Sequence, residues 1–278
     1  MKYLVLGSAG QIGSHLNDYL LRQGDTVLGF DLVASPAEDL RQSSPLLLDR
    51  MQEADFVMFL AFDVGGARYL KTYQHTFEFV SNNVKIMDHV FDALKLTRKP
   101  FIFASSQMSN MSYSSYGILK ALGEYYTRSL SGLVVKFWNV YGVETDLEKS
   151  HAITDFIRKA QTVGRVEMLT DGREQRQFLY ADDCCQALRR LAEPATYAAM
   201  SRDASLHITN FEWATILEAA QLVGEMMRVP VIPGQATDTV QKGLRNEPDR
   251  YVLQYWQPET SLRDGIARVI KAMTVGAR

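Results

Sequence analysis

Residues 2–13 read K-Y-L-V-L-G-S-A-G-Q-I-G: a short apolar run that ends at a glycine and passes directly into helical periodicity over 12–22. So short a run with no polar face suits a strand buried on both sides. Gly7, Gly10 and Gly13 then mark a turn between strand and helix. The unit recurs. Further apolar runs stand at 26–31 (T-V-L-G-F-D), 55–61 (D-F-V-M-F-L-A), 100–105 (P-F-I-F-A-S) and 133–139 (L-V-V-K-F-W-N), with helical patterns near 43–53, 74–96 and 113–130. Strands apolar throughout that alternate with helices predict an α/β fold, a doubly wound parallel sheet covered on both faces.

After Gly142 the pattern becomes irregular. Helical stretches near 151–163, 182–193, 211–227 and 261–275 are broken by short strands and by P-V-I-P-G at 230–234. The expected division is a dinucleotide-binding core over 1–142 and a smaller lobe drawn mainly from 143–278, with some of its segments returning to the core. Such a lobe would sit over the carboxyl ends of the strands, where open α/β sheets bind their ligands.

The 278 residues are 46% hydrophobic and 22% charged, with a net charge of −2, which gives no argument for nucleic acid or an anionic membrane as partner. The only cysteines, Cys184 and Cys185, are adjacent, so neither a disulfide framework nor a zinc cluster is expected, and a reducing cytoplasm suits the chain. The N-terminal apolar run is too short for a signal peptide or a membrane span.

The first turn, G-S-A-G-Q-I-G, gives a Rossmann-type reading its content. Glycines there permit a tight turn, close approach of a pyrophosphate and close helix–strand packing, and the helix that follows offers free N–H groups to phosphate. The spacing is G-x-x-G-x-x-G rather than G-x-G-x-x-G, but its place between a first strand and a first helix makes it specific. Asp31 ends the second strand 18 residues after Gly13, where a carboxylate accepts from the ribose hydroxyls of adenosine. The same carboxylate repels a 2′-phosphate, and Leu32 rather than an arginine follows it, which favours NAD over NADP.

Beyond the third helical pattern's start stands Y-G-I-L-K, with Tyr116 four residues before Lys120 and so on one helical face, after a serine pair at 105–106. Alone, Y-x-x-x-K is a weak signal. Behind a dinucleotide cradle it makes a set: a serine that binds a substrate hydroxyl, a tyrosine that takes its proton, and a lysine that lowers the tyrosine's pKa. Taken with F-I-F-A-S-S, N-V-Y-G at 139–142, D-G-R-E-Q-R-Q-F-L-Y-A-D-D at 171–183 and Y-W-Q-P-E-T-S-L-R-D-G-I at 255–266, the chain resembles an extended short-chain dehydrogenase/reductase of the NAD-dependent nucleotide-sugar epimerase/dehydratase family over nearly its whole length.

The resemblance implies Ser106, Tyr116 and Lys120 as catalytic residues, with Ser105 a neighbour easily confused with Ser106. It implies Gly7, Gly10, Gln11, Ile12, Gly13, Asp31, Asp39, Leu40, Ala61, Tyr116 and Lys120 around NAD, Asp39 being the acid that contacts adenine. Ser106, Asn139, Arg176 and Arg250 would meet the substrate, the two arginines through its phosphates. No metal is expected. The implied activity is epimerisation through transient oxidation at C4 of a GDP-, UDP- or dTDP-linked sugar. The alternatives are a net C4 dehydrogenase and a non-catalytic NAD or nucleotide sensor. A homodimer through the 79–96 helix and the helix carrying Tyr125 and Tyr126 is also implied.

Departures from the family narrow this. Asp39 stands only eight positions after Asp31, too close for the usual helix, and the stretch from Ser106 to Tyr116 is also short. Gln107 and Met108 stand where the 4,6-dehydratases of the family carry an acid pair, so elimination is not expected. F-D-V-G-G-A-R-Y at 62–69 resembles the glycine-pair loop of GDP-mannose 3,5-epimerase and GDP-fucose synthase, and His151 stands where the latter has an acid/base histidine. Those enzymes also need a cysteine after the serine pair, and 105–111 contains none, which argues against 3,5-epimerisation.

Overall fold

A computed structural model of the chain describes residues 1–144, 146, 148–238, 240 and 246–275. The first half runs β1 (Lys2–Leu6), α1 (Gln11–Arg22), β2 (Thr26–Phe30), α2 (Pro45–Glu53), β3 (Phe56–Phe59), α3 (Ala67–Tyr73), α4 (Phe77–Thr97), β4 (Phe101–Ser106), α5 (Ser115–Ser129), β5 (Leu133–Phe137) and β6 (Asn139–Tyr141). The second half runs α6 (Ala152–Val163), β7 (Val166–Glu167), β8 (Gln175–Arg176), β9 (Phe178–Tyr180), α7 (Ala181–Ala192), α8 (Pro194–Ala199), β10 (Ser205–Ile208), β11 (Ala214–Thr215), α9 (Ile216–Met227), β12 (Val231–Ile232) and α10 (Leu262–Val275).

Six strands form one parallel sheet in the order β10-β5-β4-β3-β1-β2. The order reverses between β1 and β3, and the crevice at such a switch point is where ligands of open α/β sheets sit. Side chains alternate between the faces with the period of two that a strand imposes. Tyr3, Val5, Met58, Ile102 and Val135 share one core with Leu16 and Leu20 of α1 and with Cys184, Leu188 and Leu191 of α7. Leu4, Leu6, Val57, Phe59 and Phe103 share another with Leu47 and Met51 of α2, Val90 and Phe91 of α4 and Leu119 of α5. Both faces are covered, so the strands have no polar face to show.

A third core joins α6, α9 and α10 through Ile153, Phe156, Ile157, Ala219, Val223, Ile266 and Val269. The chain enters this region by a strand switch. The run expected as one strand over 133–139 breaks at Trp138: β5 ends at Phe137 in the main sheet, and β6 pairs instead with β9. Trp138 at the break donates from its indole to His207 Nδ1 of β10 at 3.2 Å. In the other direction β10 returns to the sheet beside β5 and closes its edge.

Other boundaries follow from caps. The 74–96 pattern is α4, which starts at Phe77 because Thr76 caps it, accepting from Phe79 N at 3.2 Å; α3 is a separate helix before that pattern. The last long pattern before 230 starts at Ile216 rather than 211, where Thr215 and Glu218 form a capping box. Between Asp31 and Asp39 the short connection holds a single 3₁₀ turn, Pro36–Glu38. Among the described residues no helix is long and apolar enough to cross a membrane.

Candidate active site

The glycine turn is built by steric necessity. Gly7 has φ +86°, and a Cβ there would stand 2.7 Å from the backbone nitrogen of Ala61, just past the end of β3. A Cβ on Gly13 would stand 2.0 Å from Gly7 O, so α1 can approach the turn this closely only without a side chain. Gly10 occupies the N-cap of α1 and supplies no side-chain cap, which leaves the first-turn N–H groups of Gln11, Ile12 and Gly13 for a ligand. Gln11 itself donates from Nε2 to Val140 O at 3.0 Å, tying the turn to β6.

Asp31 lies beside that turn. Its carboxylate accepts from Ala9 N and Val33 N, both at 2.9 Å, and its own N–H donates to Glu38 at 2.8 Å. Asp39 is buried and held by Arg41 through two parallel bonds of 2.8 Å. Hydrogen bonds from Arg41 hold the Asp39 carboxyl below the usual range. Asp39 therefore faces the cleft already neutralised by a neighbour that the sequence did not flag.

One cleft of about 900 Å³ is lined by the glycine turn, Asp31, Asp39, Leu40, Ala61, Ser106, Tyr116, Lys120, Asn139 and Arg176. Ser106 closes β4, and Tyr116 and Lys120 lie one turn apart in α5, whose start is fixed by the Ser114 side chain accepting from Gly117 N at 3.1 Å. Ser105 and Ser106 point to opposite faces of the strand. Ser105 donates to Glu124 of α5 at 2.6 Å, whereas Ser106 accepts from Met108 N at 3.1 Å and stands beside the Tyr116 hydroxyl in the cleft.

The electrostatics differ from the expected lysine-activated tyrosine. Burial pushes the Tyr116 phenol up to about 12, opposed by the Ser106 hydroxyl beside it. Lys120 is 3% exposed, and burial lowers it to about 7, with Glu124 one turn further on pulling it up. Its ammonium donates to Ala104 O at 2.6 Å and lies 3.6 Å from the centroid of the Phe62 ring. Phe62 also meets the Tyr116 ring edge to face, at 5.8 Å between centroids. This aromatic cap was missed in the sequence, although the F-L-A-F-D run ending the third strand placed it at the strand's carboxyl end, where ligand-facing residues gather.

The opposite wall is the 62–66 loop and the start of α3, with residues 149–151 laid along them. Gly66 N donates to Lys149 O at 2.9 Å, and Lys149 Nζ lies 3.5 Å from Asp63, which also accepts from Tyr69 at 2.6 Å. His151 is half-exposed to the cleft, and its Nδ1 is 2.7 Å from Glu144, which accepts from His151 N as well at 2.9 Å. Burial works to raise Glu144, but the hydrogen bonds and charge of His151 outweigh it and hold the carboxyl low.

Arg176 faces the cleft from β8 and is ion-paired with Asp238. Arg250 does not line the cleft. It is exposed just before the 3₁₀ turn Tyr251–Gln254, its guanidinium 5.6 Å from the Phe211 ring, so the structure brings Arg176 to the site and leaves Arg250 apart.

A switch-point crevice with a glycine turn, a carboxylate after the second strand and a Ser–Tyr–Lys group opposite defines a Rossmann-fold protein suited to a dinucleotide and a second ligand. The uncapped helix start and the two glycines whose side chains would collide with backbone fit the cofactor's pyrophosphate, and the position of Asp31 fits a ribose. The chain belongs to the NAD dependent epimerase/dehydratase family, whose profile matches residues 3–199. It is similar to UDP-glucuronic acid decarboxylase 1 of Arabidopsis thaliana, 23% identical over 97% of this chain and 69% of that one. It is also similar to the UDP-glucose 4-epimerase of Mycolicibacterium smegmatis, 26% identical over 98% of both. Among solved structures, MoeE5 in complex with UDP-glucuronic acid and NAD superposes with a TM-score of 0.80 at 22% identity, covering 99% of this chain and all of that one.

Proposed function

We propose that this protein is an NAD-dependent nucleotide-sugar epimerase that acts by transient oxidation at C4 of the sugar. The observation that carries the proposal is the meeting of Ser106, Tyr116 and Lys120 with the glycine turn and Arg176 in one cleft. NAD, when bound, supplies the acceptor and later donor of hydride. Gly7, Gly10, Gln11, Ile12 and Gly13 would hold its pyrophosphate, Asp31 its adenosine ribose, Asp39 and Leu40 its adenine edge and Ala61 its near wall. Ser106 orients the C4 hydroxyl, and Tyr116, beside Ser106 in the cleft, accepts its proton. Lys120 supports the tyrosinate in its charged form, which the Phe62 ring face and Glu124 favour against burial. Presented from its other face, the 4-keto sugar would regain hydride at C4 from the reduced cofactor and a proton on its oxygen from Tyr116, which leaves C4 with inverted configuration.

Arg176 would exchange Asp238 for the substrate's diphosphate, and Asn139 would line the sugar's approach. UDP is the first nucleotide to test, because the relatives' names carry it; GDP and dTDP follow. The protein would form a homodimer through α4 and α5.

The test is to incubate the protein and NAD+ with UDP-, GDP- and dTDP-linked hexoses, following NADH absorbance and sugar NMR together. A new epimer without net NADH is expected. Sustained NADH with a 4-keto product would make the protein a dehydrogenase. No turnover with any sugar despite NAD binding would make it a sensor. Tyr116→Phe should lower turnover by about a hundred- to ten-thousandfold with NAD affinity retained.

A further inference from the structure

Gln107 follows Ser106 directly, lines the cleft and is 7% exposed. Its amide is held from behind by Asn246, whose Nδ2 donates to the Gln107 carbonyl oxygen and to Gln107 Oε1, each at 2.6 Å. A main-chain carbonyl can only accept, so the Asn246 amide has one permitted orientation. Asn110 agrees with it, donating from Nδ2 to Asn246 Oδ1 at 2.7 Å. Because Asn246 presents a donor, the Gln107 atom facing it must be the oxygen. Gln107 Nε2 is thereby turned away from Asn246. Among the described residues it has no hydrogen-bond partner, and protein does not enclose it. A nearly buried residue has been given a fixed amide whose donor end is left for something that enters the cleft.

We propose that Gln107 is a specificity-determining residue, donating from Nε2 to an oxygen of the sugar beside the carbon at which Ser106 and Tyr116 act, and that Asn246 is the positioning residue that decides which end of the amide the sugar meets. The inference rests on the nucleotide-sugar reading above. A hydroxyl or carboxylate oxygen at that place can accept; a deoxy position or a protonated amine cannot, so the site selects oxygenated sugars.

The test compares UDP-glucose with UDP by calorimetry on the NAD-saturated wild type, Gln107→Met and Asn246→Asp, each checked by thermal melting. Methionine keeps the length and removes the donor. Aspartate in place of Asn246 offers only acceptors, so the Gln107 amide turns round and shows its oxygen to the cleft. Both variants should bind UDP-glucose about three- to tenfold more weakly and UDP as the wild type does. Unchanged UDP-glucose affinity in Gln107→Met, or an equal loss of UDP affinity, overturns the sugar contact. A loss in Gln107→Met with none in Asn246→Asp overturns the positioning role. A wild type that binds neither UDP-glucose nor GDP-mannose better than the bare nucleotides overturns the nucleotide-sugar reading itself.

Discussion

Burial takes the Lys120 ammonium out of water and leaves it one backbone acceptor and the face of an aromatic ring. Its pKa accordingly falls from 10.5 to about 7 in the folded chain. Between those two values the unfolded chain binds a proton that the folded chain does not, so this residue makes stability rise with pH from about 7 to about 10.5 and contributes no slope outside that window. Lys120→Met should remove the rise. Without cofactor, the variant's urea midpoint should exceed the wild type's below pH 7, and the gap should narrow as pH climbs. Curves that stay parallel would show that Lys120 does not titrate there. The Tyr116–Lys120 spacing was legible in the sequence because four residues make one helical turn. The direction of both shifts was not, because it is set by desolvation, which the fold produces and spacing does not encode.

At the scale of elements, α5, β4, β5 and β10 are tied by one buried carboxylate. Glu124 of α5 accepts from Ser105 of β4, lies 3.2 Å from Lys136 of β5 and 3.2 Å from Arg128, and Arg128 reaches Ser205 of β10 at 3.1 Å. Removing one partner from such a group leaves buried charge uncompensated, so Glu124→Ala should cost about 3 kcal/mol in urea denaturation. Ser105→Ala, which removes one neutral donor, should cost about 1 kcal/mol. Similar small losses for both would mean that the carboxylate is solvated in practice. The resemblance singled out Ser106 of the pair in F-I-F-A-S-S, but the bond from Ser105 to Glu124 was not legible, because it depends on how α5 packs against β4. The parallel core was legible, since strands buried on both faces carry no polar residues. The break at Trp138 was not. Residues 133–139 are apolar enough to continue, and it is the pairing of β6 with β9 that draws Asn139 out of the sheet.

Across the whole molecule, large apolar side chains lie exposed on two adjacent helices: Phe77 and Val84 of α4, Ile118, Leu122 and Tyr125 of α5. The α5 residues recur at helical spacing, which gathers them on one face. Such a face is expected to be covered by a second copy of the chain. Sedimentation at micromolar concentration should find a dimer, and Ile118→Asp with Tyr125→Asp should yield a folded monomer. A wild type that sediments as a monomer at every concentration would sink the proposal.

The return of β10 to the sheet has a consequence for how the protein is made. A ribosome delivers β5 long before β10, and until residues 205–208 emerge the outer edge of β5 carries its N–H and C=O groups unpaired. An apolar, unpaired edge invites other chains to add to it. The nascent protein thus holds its nucleotide-binding half nearly complete yet adhesive, and translation itself, by finishing the later segment, removes the hazard.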